Sequence, residues 1–253
     1  MIFEYPLPEQ LPVLKQLWQE AFADSEQYIH HFFSRAFSPL RCRIARENEE
    51  TVGMLYWFDV TCRGQKMAYL YAVATRSSYR GMGVCRRLME DTHALLKEHG
   101  YTGVLLVPQT PALREMYTSF GYHNCTRVSE TFCAADSATT ALHQIDGEEY
   151  LRLRREYLPE GGVVQEGENL HFLETQARFY RGVDFLLAAQ ETEGESLFGA
   201  ELLGNGTAAP RSLKTLGYGQ GTFRMPGEKQ DFAMFLPLEE QAAAPGYFGL
   251  AFD

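Results

Sequence analysis

The residues best suited to chemistry lie in "YRGMGVCRR" at positions 79–87: Arg80, then Gly81 and Gly83 around Met82, then Val84 and Cys85, with Arg86 and Arg87 behind. Two glycines one residue apart let a backbone approach a ligand and take dihedrals that a side chain forbids. At the start of a helix such a turn presents unpaired N–H groups and partial positive charge, which suits a phosphate or pyrophosphate. The arginines add cationic charge, and read equally well as solvated helix-face residues. No GxxxxGK(S/T) occurs, which excludes a Walker loop. Arg86 stands where the third glycine of a Rossmann GxGxxG belongs, and no ribose-binding acid follows. On these residues alone a plain strand-to-helix turn stays open as the alternative.

The flanking sequence decides what such a turn would join. From Leu11 to Phe37 apolar residues recur at helical spacing, broken near "ADSEQ", so two helices are expected with Asp24 or Ser25 capping the second. Strand-like runs on either side of "ENEE" and a third run, "MAYLYAVAT", form an antiparallel meander. After the glycines the period returns to that of a helix, which Gly100 stops. "GVLLVP" reads as a buried parallel strand, and Thr110 with Pro111 opens another helix ending at Gly121. "YHNCTRVSETFCAA" supplies closing strands. The order predicts an α/β fold built on a mixed sheet, helices on both faces, with one parallel crossover through the glycine turn.

Composition narrows the classes. A chain of 253 residues with 45% hydrophobic content can bury a real core. No apolar run approaches the roughly 18 residues of a membrane span. A net charge of −10 argues against nucleic acid, whose phosphates call for a basic surface. Five cysteines, without CxxC spacing, read as reduced structural thiols. A metal site is not expected, His123 and Cys125 being the one close His–Cys pair. These features point to a soluble, cytoplasmic protein that binds no membrane and no nucleic acid.

Taken with its surroundings, the glycine stretch resembles the main acetyl-CoA motif of the GNAT superfamily of N-acetyltransferases, (Q/R)xxGx(G/A) at the start of the third helix. Arg80, Gly81, Met82, Gly83, Val84 and Cys85 match it, with Cys85 in place of the final Gly or Ala. "MYTSFGY" resembles the family's "lYxxxGF" element, with Tyr117 at the tyrosine and Tyr122 replacing Phe. The resemblance covers roughly residues 1–135 and is closest to multi-domain members of the Eis type.

The resemblance implies a GNAT fold, acetyl-CoA as cosubstrate and acetyl transfer to an amine. It places the pyrophosphate of coenzyme A on residues 80–86. Pantetheine would lie along a strand edge at Val73 and Thr75, where a backbone N–H also polarises the thioester carbonyl. Tyr117 is the implied acid for the leaving thiolate; without the family it reads as a core aromatic beside Met116 and Phe120. Asp24 and Glu26 fall where the superfamily builds much of its acceptor site. Tyr69 and Tyr71 present hydroxyls from one strand face, or simply pack. The base that frees the amine is not identified.

Beyond residue 137 the chain echoes its first half. "AAQETEGESLFGAELL" resembles "IARENEETVGMLYWF", and "SLKTLGY" resembles "MYTSFGY", with Leu213 at the position of Tyr117 and no copy of the glycine motif. We therefore expect an acetyltransferase domain over 1–137 and a smaller, degenerate GNAT-like α/β domain over 138–253. The second would cover the acceptor pocket, form a homodimer or hold a partner. Its aromatic ending, "PGYFGLAFD", is expected to pack as a strand or plug that could bring a carboxylate near the acceptor. The function expected is acetyl-CoA-dependent N-acetylation of a small-molecule or peptide amine. The alternative is a non-catalytic acyl-CoA-binding regulator.

Overall fold

The computed structural model describes residues 1–192 and 196–252. Strand β1 (Ile2–Glu4) precedes helices α1 (Leu11–Phe22) and α2 (Glu26–Arg35). One face of α1 buries Leu14, Leu17 and Trp18, and the helix stops where Ala23 turns left-handed at φ 56°. Ser25 caps α2, accepting from the Tyr28 amide at 3.1 Å. Asp24, the other expected cap, instead accepts from the Trp18 indole N–H at 2.7 Å.

The meander forms as β2 (Cys42–Glu47), β3 (Glu50–Cys62) and β4 (Gln65–Thr75), each antiparallel to the last. The glycine turn leads into α3 (Val84–Glu98), then β5 (Gly103–Leu106), parallel to β4, and α4 (Pro111–Thr118). Next come β6 (His123–Asn124), β7 (Arg127–Ala134), β8 (His143–Ile145), α5 (Gly147–Tyr157), β9 (Val164–Gln165) and α6 (Glu168–Gln176). The chain closes with β10 (Arg178–Arg181), β11 (Phe185–Glu191), β12 (Ser196–Gly204), α7 (Ala209–Leu216), β13 (Gln220–Pro226), β14 (Gln230–Asp231) and β15 (Met234–Pro237). The turn of the expected second hairpin, residues 193–195, lies outside the described residues.

Two mixed sheets result. The first runs β1-β2-β3-β4-β5-β15-β6, with β9 on the part of β3 beyond β2; the second runs β8-β10-β11-β12-β13-β7-β14. Both repeat one plan: a meander, a helical crossover to a parallel strand, an antiparallel sixth strand and a short edge. The echo is thus real in topology, but its alignment differs from the expected one. Helix α7 joins parallel β12 and β13, which is the place of α3 rather than α4. The strings "SLKTLGY" and "MYTSFGY" agree because each helix ends at a left-handed glycine, Gly217 at φ 85° and Gly121 at φ 95°, a stop signal of any helix.

The sixth strands are exchanged. Strand β7 leaves for the second sheet, pairing with β13 from Val128↔Pro226 to Ala134↔Gln220, and β15 comes back to flank β5. Where the two segments cross, the Cys125 amide bonds to Ala233 O at 3.0 Å and the Phe232 amide to Thr126 O at 2.9 Å. The closing strands expected from "YHNCTRVSETFCAA" are therefore divided: β6 stays and β7 goes. A hydrophobic pattern marks a strand without telling which sheet it joins.

Between the sheets lies an aromatic core to which both halves contribute, Trp18, Phe32, Tyr56 and Phe58 meeting Phe172 and Phe252. Residues 246–252 thread it without regular strand pairing, with Tyr247, Phe248 and Leu250 at most 1% exposed. Their backbone is held by Gln165 Nε2 to Leu250 O at 2.8 Å and Arg224 Nη1 to Gly249 O at 3.3 Å. The expected plug is present; Asp253, expected to bring a carboxylate, lies outside the described residues. Behind it, Arg154 and Glu201 form a two-pronged ion pair at 2.6 and 2.9 Å, at most 1% exposed, completed by the Tyr150 hydroxyl at 2.8 Å and Val163 O at 2.8 Å. A pair so deeply desolvated holds together only with its lone pairs answered.

Residues 1–137 expressed alone would leave β5 an unpaired edge with its buried face stripped. We expect no cooperative thermal unfolding of this fragment by circular dichroism. A sharp, reversible melt would show that the strand exchange is dispensable.

Candidate active site

The site begins with an irregularity in β4. Met54 pairs with Ala74 and Tyr56 with Tyr71, so Ala72 and Val73 together oppose Leu55 alone. This is a β-bulge, and Ala72 takes φ 51°, a left-handed conformation that costs a non-glycine residue energy. The ladder between β4 and β5 covers Met67–Tyr69 against Gly103–Leu105, after which the strands part. Residues 71–75 keep β3 on one side and have no ladder partner on the other. Parallel strands parting around a bulge leave backbone donors and acceptors facing whatever enters the gap.

A cavity of about 350 Å³ occupies the gap. Tyr69, Tyr71, Ala72 and Val73 line it from β4, Leu106, Val107 and Pro108 from the end of β5, and Leu113 and Tyr117 from α4. The opposite wall is Trp18, Phe22, Asp24 and Tyr28. The second half completes it with Gln176, Gln190, Glu191 and Phe252.

The glycine turn stands at the upper end of the same strand. Gly81 and Gly83 both adopt φ 76°, and nothing lies within 4 Å of a Cβ built on either. Their requirement is therefore dihedral rather than steric. Arg80 Nε donates to Thr75 O at 3.1 Å, tying the turn to the end of β4. Arg76 anchors it from behind, 2.9 Å from Glu50 and 3.7 Å from Glu20. Glu20 also accepts from the Ser77 amide at 2.5 Å, and the Ser77 hydroxyl, followed by this amide, holds its carboxyl below the usual carboxylate range. Val84 is buried beneath the turn against Gly53, while Met82 is 62% exposed. The first amides of α3 thus follow an exposed, twice-anchored loop.

The three arginines are all exposed and differ in what they touch. Arg87 folds back onto Met82 O and Gly83 O. Arg86 reaches across to α4, donating to Ser119 O and Oγ at 3.2 Å each and lying 4.3 Å over the Phe120 ring. It links the start of one helix to the end of the next. Cys85 is half-buried, and burial pushes its thiol up to about 11.

Tyr117 is 7% exposed, and burial, with Cys85 adjacent, raises its pKa well above the ordinary tyrosine value. It is a protonated hydroxyl at neutral pH. Its ring meets Tyr122 edge-on at 5.9 Å, and the Tyr122 hydroxyl is 2.7 Å from His93 Nε2. His93 thus joins α3 to the turn after α4 from beneath, as Arg86 does from above. Burial drops its pKa to about 4.

The other expected residues separate. Asp24 lies on the cavity wall, held by Trp18. Glu26 is exposed in the first turn of α2, away from the cavity lining. The Tyr71 hydroxyl pairs with that of Tyr28 at 2.6 Å, and Tyr69 receives the Phe252 amide at 3.3 Å. Sequence reasoning missed Trp18 and Tyr28, whose helical spacing marks them only as core. It also missed Gln176 and Gln190, which no motif flags. No group of His, Cys, Asp and Glu arranged to hold a metal ion occurs among the described residues.

Residues 8–125 match the family model described as an acetyltransferase (GNAT) domain. No curated protein sequence matches the chain. Among solved structures, a GCN5-related N-acetyltransferase from Anabaena variabilis aligns with a TM-score of 0.74 at 15% identity, covering 94% of this chain and 73% of its own. One from Kribbella flavida gives 0.70 at 16%, covering 92% and 70%. Eis1 from Mycobacterium abscessus gives 0.70 at 10%, covering 94% and 74%. The shared fold therefore extends through the second half of this chain.

The depressed pKa of His93 has a consequence for stability. The unfolded chain takes up this proton first as pH falls, so the stabilisation is complete above the ordinary value of 6.5 and is lost on the way down to about 4. Between about pH 7 and pH 4.5 the native chain should lose roughly 2 kcal/mol more than His93→Gln, read from urea midpoints. Equal losses would show that His93 is not the buried neutral group described.

Proposed function

We infer that this chain, which carries a GNAT acetyltransferase domain and is an acetyltransferase, uses acetyl-CoA to acetylate a primary amine of a small molecule or peptide by direct attack. The observation that carries this reading is the alignment, along one strand, of three features. These are the exposed glycine turn at the α3 N-terminus, the bulged edge at Ala72 and Val73, and the Tyr117 hydroxyl across the same cavity. The five cysteines are free thiols, which suits the reducing cytoplasm.

The residues present fit acetyl-CoA. A pyrophosphate suits the amides of Gly81–Cys85, with Arg80 and Arg87 beside them. The edge of β4 from Val73 to Thr75 suits the amides of the pantetheine arm. When bound, the cosubstrate supplies an activated acyl group and a thiolate leaving group. The chain supplies the rest. Backbone donors in the bulge hold the negative charge that grows on the carbonyl oxygen, where a fixed donor is worth more than water. Tyr117, kept protonated by burial, gives its proton to the departing sulfur. Asp24 and the Tyr28–Tyr71 hydroxyl pair stand on the acceptor side, where the attacking nitrogen must shed a proton. The aromatic walls keep water from competing for the acyl group.

Two substitutions separate cosubstrate binding from chemistry. Tyr117→Phe should lower kcat by about 100-fold or more while acetyl-CoA affinity stays within about threefold, measured by thiol release and calorimetry. Gly83→Val, strained at φ 76°, should weaken acetyl-CoA binding by about tenfold or more. Full activity in Tyr117→Phe would remove it from the role of acid. Tight acetyl-CoA binding without turnover on any amine would favour a non-catalytic binding protein.

A further inference from the structure

The acceptor side of the cavity has a distinct chemistry. Trp18, Phe22, Tyr28, Tyr71 and Phe252 give it five aromatic rings. They pack as a continuous lining: Trp18 meets Tyr71 at 5.4 Å and Phe22 at 5.8 Å, and Tyr71 meets Phe252 at 5.6 Å. Into this wall is set one fixed carboxylate, Asp24, oriented by the Trp18 indole at 2.7 Å and forming no ion pair among the described residues. The other acid on the lining, Glu191, is 63% exposed and faces Arg178 at 3.5 Å. Gln176 and Gln190 are uncharged.

We propose that the acceptor is a small primary monoamine carried on an aryl or alkyl body, selected by the aromatic wall and by Asp24; this rests on the acetyltransferase reading above. An ammonium entering the wall meets the ring faces and a carboxylate already held in place, so it is partly compensated for lost hydration. The body of the molecule gains from burial against the rings. A polyamine would bring further ammonium groups against rings with no second fixed carboxylate, and burying an unpaired charge is costly. A peptide would bring several backbone amides into a cavity whose uncharged polar side chains are Gln109, Gln176, Gln190, the Trp18 indole already held by Asp24 and the tyrosine hydroxyls, leaving amides unanswered. The same cavity also takes the acyl end of acetyl-CoA, so its volume of about 350 Å³ leaves the acceptor side room for a small molecule rather than a peptide.

The test is thiol release by the full chain with acetyl-CoA and 2-phenylethylamine, hexylamine, spermidine or triglycine, alongside calorimetric titration with acetyl-CoA. The two monoamines should show kcat/KM about tenfold or more above spermidine and triglycine. Asp24→Asn, which keeps an oxygen for the Trp18 indole, should raise the KM for 2-phenylethylamine about tenfold and leave that for acetyl-CoA within about twofold. A higher kcat/KM on spermidine or triglycine would overturn the acceptor class while acetyl transfer stands. An unchanged amine KM in Asp24→Asn would overturn the role of that carboxylate. Acetyl-CoA bound but no amine acetylated would overturn the class as well, whereas no acetyl-CoA bound at all would remove the underlying acetyltransferase reading.

Discussion

Two parallel strands that zip for three residues and then part create an obligation: the polar backbone beyond the fork must find partners elsewhere. In this protein the fork follows Tyr69 in β4 and Leu105 in β5. Its opening coincides with the extra residue at Ala72 and Val73. Around this fork the rest of the fold is arranged. Beneath it, β15 seals the far edge of β5. Above it, Arg76 and Arg80 fix the glycine turn to β3, α1 and the end of β4. Beside it, Arg86 and His93 bind α3 to the end of α4, tying the helix that follows the glycine turn to the helix carrying Tyr117.

The second sheet contains the same fork, closed. Strands β12 and β13 pair over Ser196–Gly199 and Gln220–Phe223 and then run on, with a register irregularity at Ala200 matching the bulge of β4. Here the space is taken by the protein itself. Arg224 of β13 holds Gly249 O, and a Cβ on Gly249 would come within 2.9 Å of Glu201 Oε1 on β12. Glu201 spends its charge on Arg154. The segment that fills this fork continues to Phe252, whose ring packs on Tyr71 and forms part of the first cavity. The second half thus walls the first cavity: it lends Gln176, Gln190, Glu191 and Phe252 to the lining and strand β15 to the edge of β5.

What could be read from the sequence follows the range of the forces involved. The glycine turn, the Ser25 and Thr110 caps and the helix stops at Gly100 and Gly121 are local, and residues within a few positions dictate them. The fate of β7 is not, because alternation marks a strand while its sheet is chosen by partners 86 to 98 residues away in sequence, from Ala134↔Gln220 to Val128↔Pro226. Ala72 carries no signal either, since alanine is not a residue that favours φ 51° and the surrounding pairing imposes it. Trp18 and Tyr28 were visible as an apolar stripe. Their second role, as the wall of a cavity, arises only when α1, α2 and α6 meet the parted strand. The echo between halves was legible, but matching strings on a shared helix stop placed α7 on α4, whereas topology places it on α3.

The central claim is that one fork is open for acetyl-CoA and the other is filled. Backbone hydrogen exchange with and without saturating acetyl-CoA, combined with calorimetric stoichiometry, tests it most directly. The account requires one equivalent per chain, with new protection in residues 72–75 and 81–87 and none in residues 200–204 and 224–226. A second equivalent, or protection in the second sheet without change at 72–75, would contradict it.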